Sequence, residues 1–145
     1  MGDFAEEIQS TFPNEKIKAI LNIKFTASYV DNLINIWLKP YNISEQQYNI
    51  LRILKGADKA ITIKNVKDRM IQKSPNSTRL MDKLCDKKLI SRSRCENDRR
   101  VVYVKITKKG LQLLNEIKLE KLNELADKIS EEEATKINKI LDKLR

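Results

Sequence analysis

Apolar residues recur every three or four positions along most of the chain, and the breaks in that rhythm divide it into elements. Asp3 to Gln9 predicts a short helical arm with Phe4, Ile8 and Phe12 as apolar contacts, and Pro13 resets the chain. From Asn14 to Leu38, Ile17, Ile20, Leu21, Ala27, Ile34 and Trp37 keep a helical interval. Ile23, Phe25, Tyr29, Val30, Leu33 and Ile36 make the same helix apolar on a second side, so it should be packed from two directions. Lys39-Pro40-Tyr41-Asn42 ends it. Ser44 can cap a helix through Lys55, with Tyr48, Leu51 and Leu54 inward and Gly56 placed to stop it. Ala60-Ile61 suits a short strand. Thr62 can cap a third helix that turns Ile63, Val66, Met70 and Ile71 inward.

Ser74 and Pro75 open the next helix, as cap and first helical residue, and Leu80, Met81, Leu84 and Leu89 form its apolar side. Leu89-Ile90 and Val101 to Ile106 are β-prone runs around a turn at Glu96-Asn97-Asp98. Thr107 can cap a long helix to about Lys128, striped by Leu111, Leu114, Ile117 or Lys118, Leu122, Leu125 and Ile129. Ser130 and Glu133 have capping-box spacing and open a last helix lined by Ala134, Ile137, Ile140, Leu141 and Leu144. The expected fold class is mostly α with a small β-hairpin. Three Gly and three Pro in 145 residues leave little room for a multi-turn β fold.

The polar positions change the picture at one place. The helix starting at Ser74 carries Asn76, Ser77, Thr78 and Arg79 in its first turn, and the hairpin after it carries Arg92, Arg94, Arg99 and Arg100. Two helices joined by a short turn, the second beginning at Ser74, make a helix-turn-helix. Its second helix presents short donors, acceptors and one guanidinium where a recognition helix meets base edges. Between Thr62 and Gly110 there are fifteen Lys and Arg against five Asp and Glu, a net +10. The rest of the chain, fourteen against fifteen, carries −1. Solubility needs no such segregation; contact with a polyanion does. A membrane surface would call for Trp or Phe on an amphipathic helix, and this segment has neither.

The same composition points away from catalysis. His is absent, so the commonest general base and metal ligand are missing. Cys85 and Cys95 cannot hold a structural zinc without carboxylate help, and no phosphate-binding Gly-rich loop or nucleophile elbow occurs. Glu132 and Glu133 read as solvated. No cofactor and no metal are expected. No apolar run reaches membrane-spanning length and the first residues lack a basic-then-apolar signal, so the expected location is the cytoplasm.

The run Asp98-Arg99-Arg100-Val101-Val102-Tyr103-Val104-Lys105-Ile106-Thr107-Lys108-Lys109-Gly110 resembles the wing signature of MarR-type winged-helix regulators, with Ile106 where that signature has Leu. Ser77-Thr78-Arg79-Leu80 with Asp82-Lys83-Leu84 is similar to the family's recognition helix, and Asn49 to Leu54 to the helix before it. The resemblance implies a winged helix-turn-helix with long N- and C-terminal dimerisation helices. Residues 1–40 would form an N-terminal dimerisation helix, 41–110 a DNA-binding lobe and 111–145 C-terminal dimerisation helices, in one structural domain. One departure is Lys88, where the family usually has Gly; a left-handed backbone there costs Lys about 1 kcal/mol relative to Gly.

The expected function is that of a homodimeric transcription regulator, a repressor, on a pseudo-palindromic duplex. Arg79 is expected on a guanine or a phosphate, and Asn76, Ser77 and Thr78 on base edges or backbone. Ser74 opens the helix that presents them. Arg100 and Arg99 are expected in the minor groove, with Asp98 orienting the guanidinium. Lys73, Ser91, Arg92 and Arg94 are phosphate candidates. The family's small phenolic or lipophilic effectors sit between the dimer helices and the DNA-binding lobe. The resemblance thereby implies a pocket near Phe25, Tyr29, Trp37 and Tyr48, aromatics whose ordinary reading is core. Two rival functions are a redox-responsive regulator through Cys95, flanked by arginines, and a winged-helix protein-interaction or RNA-binding module. Cys85 reads as a packing residue.

Overall fold

A computed structural model of the protein describes residues 2–145. The elements run α1 (Phe4–Glu7), α2 (Glu15–Leu38), a 3-10 turn (Lys39–Tyr41), α3 (Glu45–Ala57), β1 (Ile61–Thr62), α4 (Ile63–Arg69), α5 (Ser77–Asp86), β2 (Ile90–Arg94), β3 (Val102–Ile106), α6 (Lys108–Glu116), α7 (Glu120–Ala126) and α8 (Glu131–Lys143). The strands form one antiparallel sheet in the order β1-β3-β2. The fold is therefore mostly helical with a small hairpin, as the hydrophobic pattern predicts.

Side-chain caps set most helix starts. Asn14 accepts from Ile17 N, Thr62 from Asn65 N and Thr107 from Gly110 N, while Ser44–Gln47 and Ser130–Glu133 close full capping boxes. The core is built from residues between Leu38 and Ile117. Leu38, Ile50, Leu51, Leu54, Val66, Met81, Leu84 and Val104 are fully buried together, so α3, α4, α5 and the sheet share one interior.

The end of α5 shows how that interior fixes the hairpin. Lys88 takes a left-handed φ of 60°. Its N–H donates to Cys85 O at 2.8 Å and Leu89 N–H donates to Leu84 O at 3.0 Å, the paired bonds of a Schellman ending. Leu89 and Leu84 are both buried beside it. Thr107 then donates its hydroxyl to Lys88 O at 2.7 Å, joining the end of α5 to the start of α6. Gly110 permits this approach: a Cβ there would collide with Leu89 O and stand 2.7 Å from the Ile106 side chain.

Four expectations need correction. Gly56 does not stop α3; Asp58, at φ 54°, does so, and its N–H donates to Lys55 O. Ile71 is 86% exposed rather than inward, because Met70 turns the backbone extended and Ile71 N–H donates to Asn49 Oδ1. The helix expected from Thr107 to Lys128 is broken at Ile117. That side chain turns into the core on an extended backbone, and Tyr41 donates its hydroxyl to the Glu116 carbonyl beside the break. The helix expected from Ser74 starts three residues later.

Both ends of the chain leave apolar surface uncovered. α7 and α8 bury no residue, and α2 buries only Leu38. Ile17, Ile20, Leu21, Ile23, Phe25, Tyr29 and Ile36 on α2 are exposed, as are Ile137, Ile140 and Leu144 near the C-terminus. Among the described residues no helix is long and apolar enough to cross a membrane.

Candidate nucleic-acid interface

Ser74 does not act as the cap of α5. Its hydroxyl oxygen accepts from Asn76 N–H at 3.2 Å, and its carbonyl accepts from the Ser77 hydroxyl at 2.5 Å. Pro75 and Asn76 form a turn, and α5 begins at Ser77 with no side-chain cap. Ser77 is 1% exposed, so its hydroxyl is taken up in the turn and withdrawn from any base edge. Asn76, Thr78 and Arg79 remain exposed on the first turn, and Lys73 is exposed just before it with Nζ donating to Asp68 O.

β2 leaves the buried end of α5 at Leu89 and runs back along the helix. Arg92 faces Val104 across the hairpin, on the same side as Ile90 and Arg94, while Ser91 and Ser93 point the other way. The Arg92 Nη2 reaches Asp82 Oδ1 at 2.5 Å and Thr78 O at 3.4 Å. Arg92, one of the phosphate candidates, is thus tied to α5 through an ion pair with Asp82 that the sequence reading did not include. Its position also orients the hairpin. Through the Arg92 side chain the middle of β2 is joined to the first two turns of α5, and the tip from Cys95 to Val101 follows that point in the chain.

In the tip, Asp98 is a turn residue. Its Oδ1 accepts from Arg100 N–H at 3.0 Å, its carbonyl accepts from Val101 N–H at 3.0 Å, and Cys95 N–H donates to Val101 O. In this structure its carboxylate meets the Arg100 backbone amide and not the Arg100 guanidinium. Arg94, Arg99 and Arg100 are exposed. Among the described residues they form no ion pair, and neither do Arg79 and Lys83 on α5. Unpaired guanidinium and ammonium groups therefore border both the helix start and the tip.

A family model for the transcriptional regulator SarA/Rot matches residues 32–117, which span α3 to α6 with the sheet and the end of α2. The chain belongs to this family of transcriptional regulators. The chain is 27% identical over 120 residues to the HTH-type transcriptional regulator MhqR of Bacillus subtilis, covering 79% of this chain and 81% of MhqR. A cysteine-to-serine mutant of E. coli MarR, solved in complex with operator DNA, is 25% identical, with TM-score 0.71 and 99% of each chain covered. The S. aureus MepR–DNA complex shares the fold at 22% identity, with TM-score 0.75 over 92% of this chain and 97% of that one. The fold is that of winged-helix MarR-type regulators, and this family and fold belong to regulators of transcription, not enzymes.

The other sequence candidates are more scattered. Phe25 and Tyr29 are exposed on α2, the Phe25 ring lies tilted against Phe4 with centroids 5.2 Å apart, and Tyr48 packs on the core from α3. The cleft of about 430 Å³ between α2 and α5, lined by Asn35, Lys39, Gln47, Leu80 and Lys83 among others, includes none of Phe25, Tyr29, Trp37 and Tyr48. They do not converge on it: Phe25 and Tyr29 share one face of α2 four residues apart, Trp37 stands two turns further along that helix, and Tyr48 belongs to α3. Cys85 and Cys95 are free and half-buried, and burial pushes the Cys85 thiol up although Arg92 beside it pulls the other way. Glu132 pairs with Lys136 at 2.5 Å and Glu133 closes its capping box. Sequence reasoning missed Asp82 and Lys83. The i, i+4 offset from Thr78 to Asp82, matched by Arg92 in the following strand, was the available signal for the first.

Proposed function

We propose that this regulator binds a pseudo-palindromic duplex as a homodimer and represses transcription by occupying its operator. The α5 helix of each protomer enters one of two major grooves about one helical turn, ~34 Å, apart. Arg79 contacts a guanine or a phosphate, Asn76 and Thr78 contact base edges or backbone, and Lys73, Lys83, Ser91 and Arg94 contact phosphates. Arg100, with Arg99, enters the adjacent minor groove from the tip. The observation that carries this reading is the set of exposed arginines outside every described ion pair, Arg79 in the first turn of α5 and Arg99 and Arg100 in the hairpin tip. Residues 1–40 and 111–145 form the dimer arms around the lobe at 41–110, supported by the uncovered apolar faces of α2, α7 and α8.

The test is a fluorescence anisotropy titration of a selected duplex. Arg100→Ala lowers affinity roughly fivefold or more while circular dichroism stays unchanged, and wild-type affinity falls steeply with added salt as counterions are released. Undiminished affinity in the variant, or binding indifferent to salt, would remove the reading.

The effector reading rests on Trp37, whose indole N–H is buried without an acceptor. It is the chain's single Trp, so its emission reports locally. A small phenol or aromatic carboxylate that binds there shifts Trp37 fluorescence and weakens duplex binding. Emission that stays put up to millimolar phenol and benzoate argues against an effector of this kind.

A further inference from the structure

The wing hairpin and α5 are joined at one polar point, and it involves the helix turns that carry the reading residues. Thr78 and Asp82 are one helical turn apart on the same side of α5, and the Arg92 Nη2 spans them, 3.4 Å from Thr78 O and 2.5 Å from Asp82 Oδ1. Cys85, the next residue along that side, also lies against Arg92. Arg79 and Lys83 belong to the adjoining side, where they are exposed and unpaired. α5 has no side-chain cap, so its first turn lacks the usual polar anchor and depends on the Ser74 turn and on Arg92.

β2 is an edge strand, bonded to β3 alone, so β3 fixes one side of it and leaves the other free. The Arg92 guanidinium, with fixed planar donors, sets the distance between that free side and the helix.

From this juxtaposition we infer that Asp82 is a positioning residue for operator reading. It acts through Arg92 to hold the wing at a fixed offset from the first turn of α5, so that Arg79 and Arg100 meet adjacent grooves in register. Asp82 brings a carboxylate to a surface that faces phosphates, where it repels DNA unless it has work of this kind. This inference rests on the DNA-binding reading above and assigns a role to a residue whose charge opposes any phosphate contact of its own. The ion pair is half-exposed and contributes little to global stability, so positioning and folding separate experimentally.

The experiment measures affinity for a selected operator and for a random duplex of equal length, using wild type, Asp82→Asn, Asp82→Glu, Arg92→Gln and the Asp82→Asn/Arg92→Gln double variant. Asp82→Asn weakens operator binding about tenfold while binding to the random duplex holds or tightens, because a negative charge has gone. Arg92→Gln weakens operator binding comparably, the double variant loses no more than either single, and Asp82→Glu recovers most of the loss. The inference is overturned if Asp82→Asn binds the operator as tightly as wild type or tighter, or if the single losses add, since Arg92 would then act on phosphate independently. Should wild type bind no duplex, the DNA reading itself has failed, and the tie is judged by hydrogen exchange instead. Faster exchange at the β2 amides in Asp82→Asn, with α6 unchanged, upholds the offset role; identical exchange removes it.

Discussion

Lys88 holds φ 60° because the Schellman ending of α5 must turn the chain into β2, and any side chain with a Cβ is strained there. Lys88→Gly is therefore expected to raise stability by about 1 kcal/mol, read as a higher urea midpoint with unchanged slope. A lower midpoint would mean that the Lys88 side chain contributes more than its backbone costs. This position was legible in the sequence as a departure from the wing-family pattern, and the structure supplies its geometry. Ser77, Arg92 and Asp98 were legible only by residue type. Each is polar and near the right place, but whether a hydroxyl, guanidinium or carboxylate faces solvent depends on neighbours that a linear pattern does not reveal. Ser77 is drawn into the Ser74 turn, Arg92 onto Asp82, and Asp98 onto the amide of Arg100.

At the scale of elements, the joint between α5, β3 and α6 is the tightest constraint on the wing. Thr107 bonds the Lys88 carbonyl while Gly110 lets α6 approach Leu89. Gly110→Ala forces a methyl against that carbonyl and the Ile106 side chain. It should destabilise the fold by ~2 kcal/mol, seen as a lower thermal midpoint in calorimetry, despite the better helix propensity of Ala. An unchanged midpoint would show that α6 can slide away at no cost. Helix starts and the hairpin were readable because caps and β-prone runs are local signals, and Asn14, Ser44, Thr62, Thr107 and Ser130 all cap. The break after Glu116 was not readable: Ile117 continues the apolar stripe in sequence, and only the core beside Tyr41 draws it out of the helix. The late start of α5 has the same kind of cause, since Ser74 and Pro75 fit either a helix start or the turn before one.

At the scale of the molecule, charge and apolar surface are divided between different parts of the chain. The net +10 from Thr62 to Gly110 sits on the lobe with the helix and wing, while the exposed apolar rows of α2 and α8 lie outside it. The division into a basic reading lobe and apolar arms was visible from residue counts and periodicity alone, because both are sums over many positions. The arms' packing was not, since a stripe of Ile and Leu reads the same whether its partner is the same chain or another. Operator binding of this kind requires two lobes presented by paired arms to one duplex. Selection of bound sequences from a random duplex library reads this out: two inverted half-sites with centres about 10 base pairs apart are expected, and enrichment of a single unrepeated motif, or of none, would overturn the paired-lobe reading.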